Sequence, residues 1–230
     1  KIAIFIILIK LLGLVFSGLV IFWSDILQIL AVLSIIIGNI TAIAQTNIKR
    51  MLAYSTIANI GFILLALSIG SYDSFIASMF YTLTYIMTTI LAFGLLSELF
   101  SNDKPIEEIK DLSGLAKSNP LVAFMIMTIM LSYVGIPPFL GFHAKLFVIQ
   151  SLVQSSNILL SVFAVIMTVI GSYYYLRVIK IMYFDDLNNA LSFRPNYVFS
   201  SLLVLGLIYL GLFPNSLAEI SIYSLAGLFN

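Results

Sequence analysis

The sequence predicts an all-α, polytopic transmembrane helix bundle, and three observations support this fold class. Hydrophobic residues make up 61% of the 230 residues and charged residues only 9%, which is too little charge to cover the surface of a soluble domain of this length. The mean hydropathy is +1.12. Apolar runs of about 20 residues recur along the chain, which is the length that a helix needs to cross a hydrocarbon core of roughly 30 Å.

The order of apolar and polar segments predicts about seven passes. The apolar segments fall at 1–22, 27–46, 51–70, 75–100, 120–153, 157–184 and 197–213, and an apolar tail follows. Ser24 and Asp25 separate the first two segments. We therefore expect a single transmembrane domain over residues 1–230.

The longest polar stretch, SNDKPIEEIKDLSGLAKSN at 101–119, predicts an interfacial loop. Ile106, Ile109 and Leu112 share one face at helical spacing, so one short helix at the membrane interface fits the pattern. Its mixed charges are more typical of a solvated loop helix than of a docking site.

Segment 120–153 is too long for one straight pass, because a helix of that length would span about 51 Å. It is therefore either two short passes or one broken pass. Short loops on the cytoplasmic or matrix side of a membrane collect Lys and Arg, so we take the side with Lys49 and Arg50 as inside. One broken pass then places Arg177 and Arg194 inside as well, whereas two passes place them outside. The charge pattern favours one discontinuous helix, and the C-terminus then lies outside.

The stretch YVGIPPFLGFHAKLFVI at 133–149 breaks a helix inside an apolar region. Pro137 and Pro138 remove two backbone donors and force the preceding residue out of helical geometry. Non-helical backbone at membrane depth is tolerated only where protein buries it or where it lines a wet cavity, and broken helices often form ion-handling sites in transporters. Lys145 follows the break directly. We predict that the break makes a polar hole in which this amine exchanges protons.

Structural roles compete with this hypothesis. A proline kink beside a lysine is also compatible with packing alone, with the amines of Lys145 and Lys10 snorkelling to a surface. His143 is a candidate for proton relay, although a packing or hydrogen-bonding role is the commoner one. Residues 173–175 are typical of an aromatic belt. Polar residues such as Asn59 could carry water or bond between helices.

Three ordered stretches resemble one known family, namely AQTNIKRMLAYSTIANIGFILLAL at 44–67, LSYVGIPPFLGFHAKLFVI at 131–149 and GSYYYLRVIKIMYF at 171–184. They are similar to the antiporter-like subunits of respiratory complex I and of the related multi-subunit Na+/H+ antiporters. KIAIF at 1–5 and LSGLAKSNP at 112–120 indicate the subunit-N branch, the mitochondrial ND two type. The resemblance covers essentially the whole chain and implies the C-terminal half of such a subunit.

The resemblance implies a proton-translocating membrane-arm subunit of respiratory NADH:ubiquinone oxidoreductase, in which protons move through buried lysines coupled to electron transfer elsewhere in the complex. Lys1 would be the central connecting lysine and Lys145 the lysine of the second half-channel. The family also needs a glutamate and a further lysine upstream of these positions. We therefore expect a companion chain or a further segment to supply the N-terminal half.

The resemblance also implies which groups and partners belong to the chain. We expect no cofactor or metal in it, with NAD, FMN, iron–sulfur clusters and quinone bound by other subunits. The expected partners are other membrane-arm subunits of complex I and the lipid bilayer. A net charge of +1 gives no basic patch for nucleic acid, and the absence of cysteine excludes disulfides and thiolate sites. The expected location is the mitochondrial inner membrane, or alternatively the bacterial cytoplasmic membrane.

Two other functions stay open at this point. One is a subunit of a multi-subunit Na+/H+ antiporter, and the other is a structural membrane spacer whose lysines only snorkel.

Overall fold

The computed structural model describes residues 2–101, 104–186, 191–193 and 197–229. Its α-helices are α1 Ile2–Lys10, α2 Val20–Ala44, α3 Ile48–Leu67, α4 Tyr72–Ser97, α5 Leu115–Ser118, α6 Pro120–Val134, α7 Leu140–Gln154, α8 Ile158–Phe184, α9 Tyr197–Leu212 and α10 Asn215–Phe229. Its strands are β1 Leu99–Ser101, β2 Lys104–Pro105 and β3 Leu191–Phe193, which form one small antiparallel sheet in the order β2-β1-β3.

Four helical stretches of the described residues are long, continuous and apolar enough to cross a membrane: Ser17–Ala44, α3, α4 and α8. The other apolar segments are short or interrupted. Helix α1 continues as a π-helical turn at Leu11–Val15, α6 and α7 are separated by the predicted break, and the chain bends by 86° between α9 and α10. The predicted polytopic helical bundle is confirmed.

The boundary between the first two predicted segments was wrong. Ser24 and Asp25 lie inside α2, and the helix is instead interrupted around Phe16, where the π-helical turn gives way to a 3-10 turn at Ser17–Leu19. The reason is a hydrogen bond between helices. Ser24 Oγ donates a 2.7 Å hydrogen bond to the Ser68 carbonyl at the end of α3, so a polar residue is accommodated without ending the helix.

Helices α2 and α3 form a tight antiparallel pair because small residues lie at their contact. A Cβ atom on Gly38 would lie 2.5 Å from the Ala58 amide nitrogen, and one on Gly61 would lie 2.9 Å from the Ala31 carbonyl oxygen. Small residues allow this close approach, and van der Waals packing is the main attraction between helices in lipid.

Several loops meet at one end of the bundle, which we call the Lys49 side. The α2–α3 turn bonds to the loop before α5, because Ile48 N donates to Glu107 O at 2.9 Å and Ile109 N donates to Thr46 O at 2.9 Å. The end of α8 lies on the same side, since Lys117 forms a 2.8 Å ion pair with Asp186. This pair holds the pKa of the exposed Asp186 carboxyl below its usual range.

This arrangement confirms that 120–153 is one discontinuous pass. Helix α6 begins and α8 ends on the Lys49 side, so α6 and α7 together cross the bundle once and α8 returns. Arg177 accordingly lies beside the end of α2, as the broken pass predicts. Arg194 falls outside the described residues.

The loop 101–119 does not form one helix in its described part. It contains β2, a 3-10 turn at Ile109–Leu112 and the short α5. Ile106, Ile109 and Leu112 are all buried against the bundle. Continuous helix is prevented by Pro105, which cannot donate, and by Gly114, whose φ of +68° is left-handed.

Arg177 joins α8 to the end of α2 and supplies a stability prediction. Its guanidinium donates to the Ile43 carbonyl at 3.1 Å and to the Gln45 carbonyl, which have no partner further along their own helix. Arg177→Ala should destabilise the fold by about 1.5–3 kcal/mol, the usual range for hydrogen bonds to a charged group. Arg177→Lys should recover only part of this stability, because an ammonium lacks the planar guanidinium geometry that lets one side chain donate to two carbonyl groups at once.

Thermal unfolding of the purified complex in detergent, monitored on this chain, measures the effect. Lys180→Ala is the matched control, since this exposed cation lies on the same helix one turn away. Equal midpoints for the two alanine variants would contradict the role assigned to Arg177.

Candidate functional site

The site is built around the break between α6 and α7. Helix α6 ends at Val134, and the next residue, Gly135, takes a left-handed conformation with φ of +85°. Its amide donates to the Leu131 carbonyl at 3.0 Å. This is the ordinary way for a helix to end at glycine, and α7 does not begin until Leu140.

The first turn of α7 lies beside the last turn of α6, so the two half-helices overlap. Gly141 N donates to Ser132 Oγ at 3.3 Å. A Cβ atom on Gly141 would collide with the Ser132 carbonyl oxygen. Only glycine therefore fits at this crossing, and the overlap brings the side chain of Lys145 back to the end of α6.

The Lys145 ammonium binds the free carbonyl groups at the end of α6. Its Nζ donates to Tyr133 O at 2.9 Å and to Val134 O at 2.8 Å, and it lies 5.7 Å from the centroid of the Phe62 ring. The residue is only 8% exposed. The one ion pair within the described residues is between Lys117 and Asp186, so Lys145 is held there by carbonyl dipoles and a ring face, not by a described carboxylate.

A small cavity adjoins Lys145. Its volume is about 10 Å³, which corresponds to the space for the centre of about one water molecule. Thr84, Thr88 and Ser132 line it with the lysine. The Thr84 Oγ1 atom is buried and has no hydrogen-bond partner among the described residues. An ammonium has three donors and two are used here, so the cavity presents both a donor and an acceptor to water.

Hydrogen-bonded tyrosines surround this cavity. Tyr81 OH donates to Asn59 Oδ1 at 2.8 Å, and Asn59 Nδ2 lies 3.4 Å from Tyr175 OH. Tyr174 OH donates to Asn39 Oδ1 at 3.2 Å. Of these residues, Asn59 and Tyr81 line the cavity, and the bonds connect α3 with α4 and α8, and α8 with α2.

Two further bonds involve Tyr85 and Tyr133, which also line the cavity. Tyr85 OH donates to Thr56 Oγ1 at 2.6 Å, and Tyr133 OH lies 3.1 Å from Thr89 Oγ1. The rings of Tyr133 and Tyr175 stack with centroids 5.2 Å apart. The hydroxyl groups of four helices therefore converge on one buried polar region.

The aromatic-belt interpretation was wrong for two of its three tyrosines. Tyr174 and Tyr175 are almost fully buried, whereas Tyr173 is exposed. A helix places residues about 100° apart, so consecutive tyrosines need not share a surface. Tyr81 and Tyr85 of α4 were not predicted as site residues, although they are four residues apart and therefore share one helical face.

The structure separates the predicted site residues. Lys145 lies in the polar region, whereas Lys1 lies outside the described residues. His143 does not line the cavity beside Lys145; its Nε2 lies 3.1 Å from the Gly211 carbonyl oxygen in α9. Lys10 is exposed. A relay role for His143 stays a prediction.

Across the described ranges, no group of three or more His, Cys, Asp or Glu side chains is placed to hold a metal ion. The chemistry that this arrangement supports is proton exchange between an amine, hydroxyl groups and enclosed water.

Comparison with known proteins gives a family match. The model of the NADH:quinone oxidoreductase/Mrp antiporter transmembrane family matches residues 1–171. The NADH-quinone oxidoreductase subunit N of Methylovorus glucosotrophus is 43% identical over 98% of this chain and 47% of its own length. That of Nitrosomonas europaea is 44% identical over 87% of this chain and 42% of its own length. The chain thus spans about half the length of the curated relatives it matches.

Two solved structures are also similar. A chain of respiratory complex I from Thermus thermophilus with bound aureothin is 32% identical, with a TM-score of 0.72 over 85% of this chain and 45% of that one. A chain of the Mrp complex from Dietzia sp. DQ12-45-1b has a TM-score of 0.82 over 95% of this chain and 49% of that one. Its identity is 21%, so the second likeness shows the fold alone.

Proposed function

The chain belongs to the NADH:quinone oxidoreductase/Mrp antiporter transmembrane family, and we propose that it is a proton-translocating membrane-arm subunit of a respiratory NADH:quinone oxidoreductase. The observation that carries the proposal is a buried Lys145 that caps a broken helix beside a cavity for water. The relatives named subunit N support the assignment to this branch.

The chain's contribution is a carrier that can hold a proton and release it. In the protonated form, the Lys145 ammonium is bound by two carbonyl groups of α6. A change in the local field, driven by redox chemistry elsewhere in the complex, alters the balance between ammonium and amine. Water in the cavity and the neighbouring hydroxyl groups then accept or return the proton. Lys1 is proposed as the next carrier, on the family resemblance alone.

The partners and the location follow from the same assignment. We propose that other membrane-arm subunits pack around the chain, that a companion chain or further segment supplies the N-terminal half, and that flavin, iron–sulfur clusters and quinone are bound elsewhere. The chain lies in a membrane, either the mitochondrial inner membrane or the bacterial cytoplasmic membrane. The relatives named above come from bacteria, which supports the second location.

A subunit of a secondary Na+/H+ antiporter is the second candidate, because the family that matches this chain includes the Mrp antiporters. The polar region around Lys145 would serve either function, since both require a proton carrier inside the bilayer.

Membrane vesicles distinguish the two. If the chain pumps protons in a respiratory complex, NADH oxidation should drive proton uptake into inverted vesicles, and sodium should not be required. Deleting this chain should lower the protons moved per NADH. A sodium-dependent pH change that persists without NADH, and that disappears on deletion of the chain, would overturn the assignment in favour of the antiporter.

A further inference from the structure

A second cavity opens on the side of the bundle opposite to Lys49. Its volume is about 260 Å³, and α4, α7 and α10 form its walls. The exposed carboxylate of Asp73 lies at the start of α4, and Gln150, Ser151 and Gln154 of α7 add polar groups. We call this cavity the vestibule. It is large enough for many waters.

We call the small cavity beside Lys145 the lysine cavity. It and the vestibule both lie at the contact between α4 and α7. On α7, Ala144 lines the lysine cavity, whereas Phe147 and Ser151, three and seven residues later, line the vestibule. On α4, Ala77 lines the vestibule and Thr84, seven residues later, lines the lysine cavity. Residues at these spacings share a helix face, so the two cavities follow one another along the same contact.

Two phenylalanines separate the cavities. Phe80 lies between Ala77 and Thr84 on α4 and is fully buried. Its ring meets the ring of Phe147 edge to face, with centroids 4.8 Å apart and planes at 66°. Polar groups therefore lie on both sides of this contact, with Thr84 and Lys145 towards the break and Ser151 and Asp73 towards the opening.

The resemblance already implies a half-channel at Lys145; we propose that the Phe80–Phe147 contact is the gate that closes the vestibule off from this lysine. This inference rests on the proposed function and adds the gate. An apolar constriction between two wet regions excludes water and so blocks proton hopping. Phe147 is the ring assigned to the movement, because it already forms part of the vestibule wall, whereas Phe80 is fully buried.

Cysteine labelling tests the route without reference to pumping. The chain has no cysteine of its own, so single cysteines can be followed by mass spectrometry of its peptides within the intact complex. A membrane-impermeant thiol reagent added from the vestibule side should label Gln154→Cys, which is exposed on the vestibule wall, and leave the buried Thr84→Cys unmodified. Adding Phe147→Ala to Thr84→Cys should raise its labelling rate at least about tenfold, which corresponds to a barrier lowered by about 1.4 kcal/mol.

The matched control is Phe163→Ala, because Phe163 is also partly buried but lines neither cavity. It should leave Thr84→Cys protected. If Phe147→Ala does not assemble, Phe147→Leu removes the ring edge, keeps an apolar side chain and permits the same comparison. Two results would contradict the proposed gate. One is rapid labelling of Thr84→Cys while Phe147 is intact, and the other is slow labelling of Thr84→Cys after the Phe147 ring is removed.

Proton leak supplies the functional readout. In proteoliposomes that contain the complex, Phe147→Ala should raise passive proton permeability, and adding Lys145→Ala should reduce it again. If Lys145→Ala abolishes pumping while Phe147→Ala changes neither leak nor labelling, the route is wrong and the proposed function stands. If leak and labelling change but Lys145→Ala pumps normally, the route exists and the proposed function fails.

Discussion

Complexes with Lys145→Ala should assemble and lose the protons that this chain moves. Removal of a positioned proton donor typically slows proton transfer by about 10²- to 10⁴-fold, so the carrier step should cease on the timescale of turnover. The substitution also leaves the Tyr133 and Val134 carbonyls without the ammonium. We expect that loss to cost about 1–3 kcal/mol of stability, which a packed bundle tolerates. The readout is the number of protons moved per NADH oxidised in vesicles.

Lys145→Arg separates proton transfer from structural support. A guanidinium can still donate to both carbonyl groups, but it stays protonated at any physiological pH. We therefore expect this variant to assemble with better stability than the alanine variant and to pump no better. Lys180→Ala is the control, because Lys180 is an exposed lysine outside the polar region. An unchanged ratio of protons to NADH in Lys145→Ala would defeat the proposal.

Gly141→Ala should prevent correct folding of the broken helix. The added methyl group would collide with the Ser132 carbonyl oxygen, and backbone atoms cannot move aside as a flexible side chain can. Overpacking costs about 1–3 kcal/mol or more in ordinary cores, and here it would also separate Lys145 from the carbonyl groups that it binds. We expect little assembled complex and no proton transfer through this chain.

Gly94→Ala is the matched control for this variant. A Cβ atom at Gly94 would meet nothing within 4 Å, and alanine is favoured over glycine in a helix by about 0.5–1 kcal/mol. That variant should be as stable as the parent or more so. The amounts of assembled complex on native gels and the thermal midpoints provide the comparison. Normal assembly of Gly141→Ala would show that the half-helices do not cross as described.

The sequence alone predicts the break and its lysine because local chemistry decides both. Consecutive prolines cannot continue the interior of a helix, and Gly135 provides the left-handed residue at the end of α6. The burial of Lys145 follows from its position in an apolar run. The pairing of its Nζ with carbonyls 11 and 12 residues earlier does not, since it depends on how far the half-helices overlap.

Other features needed tertiary contacts that no local pattern encodes. Ser24 reads as the end of a segment, yet it lies inside α2 because α3 offers it an acceptor. Tyr174 and Tyr175 resemble an interfacial belt, yet they bond to asparagines far away in the sequence. The contact between Phe80 and Phe147 likewise joins two helices, and no local pattern in either helix predicts that these two rings meet.

The end of α9 has a mechanical consequence for the break. A Cβ atom on Gly211 would collide with the Pro138 carbonyl oxygen. The Gly211 carbonyl oxygen also lies within hydrogen-bonding distance of His143 Nε2. Four residues later the chain has turned into α10, whose Ala218 and Ile222 form a wall of the vestibule. The first turn of α7 and one wall of the vestibule are therefore connected through the short turn between α9 and α10. Since α7 itself also lines the vestibule, we expect a tilt of α7 that displaces Lys145 to change the width of the opening.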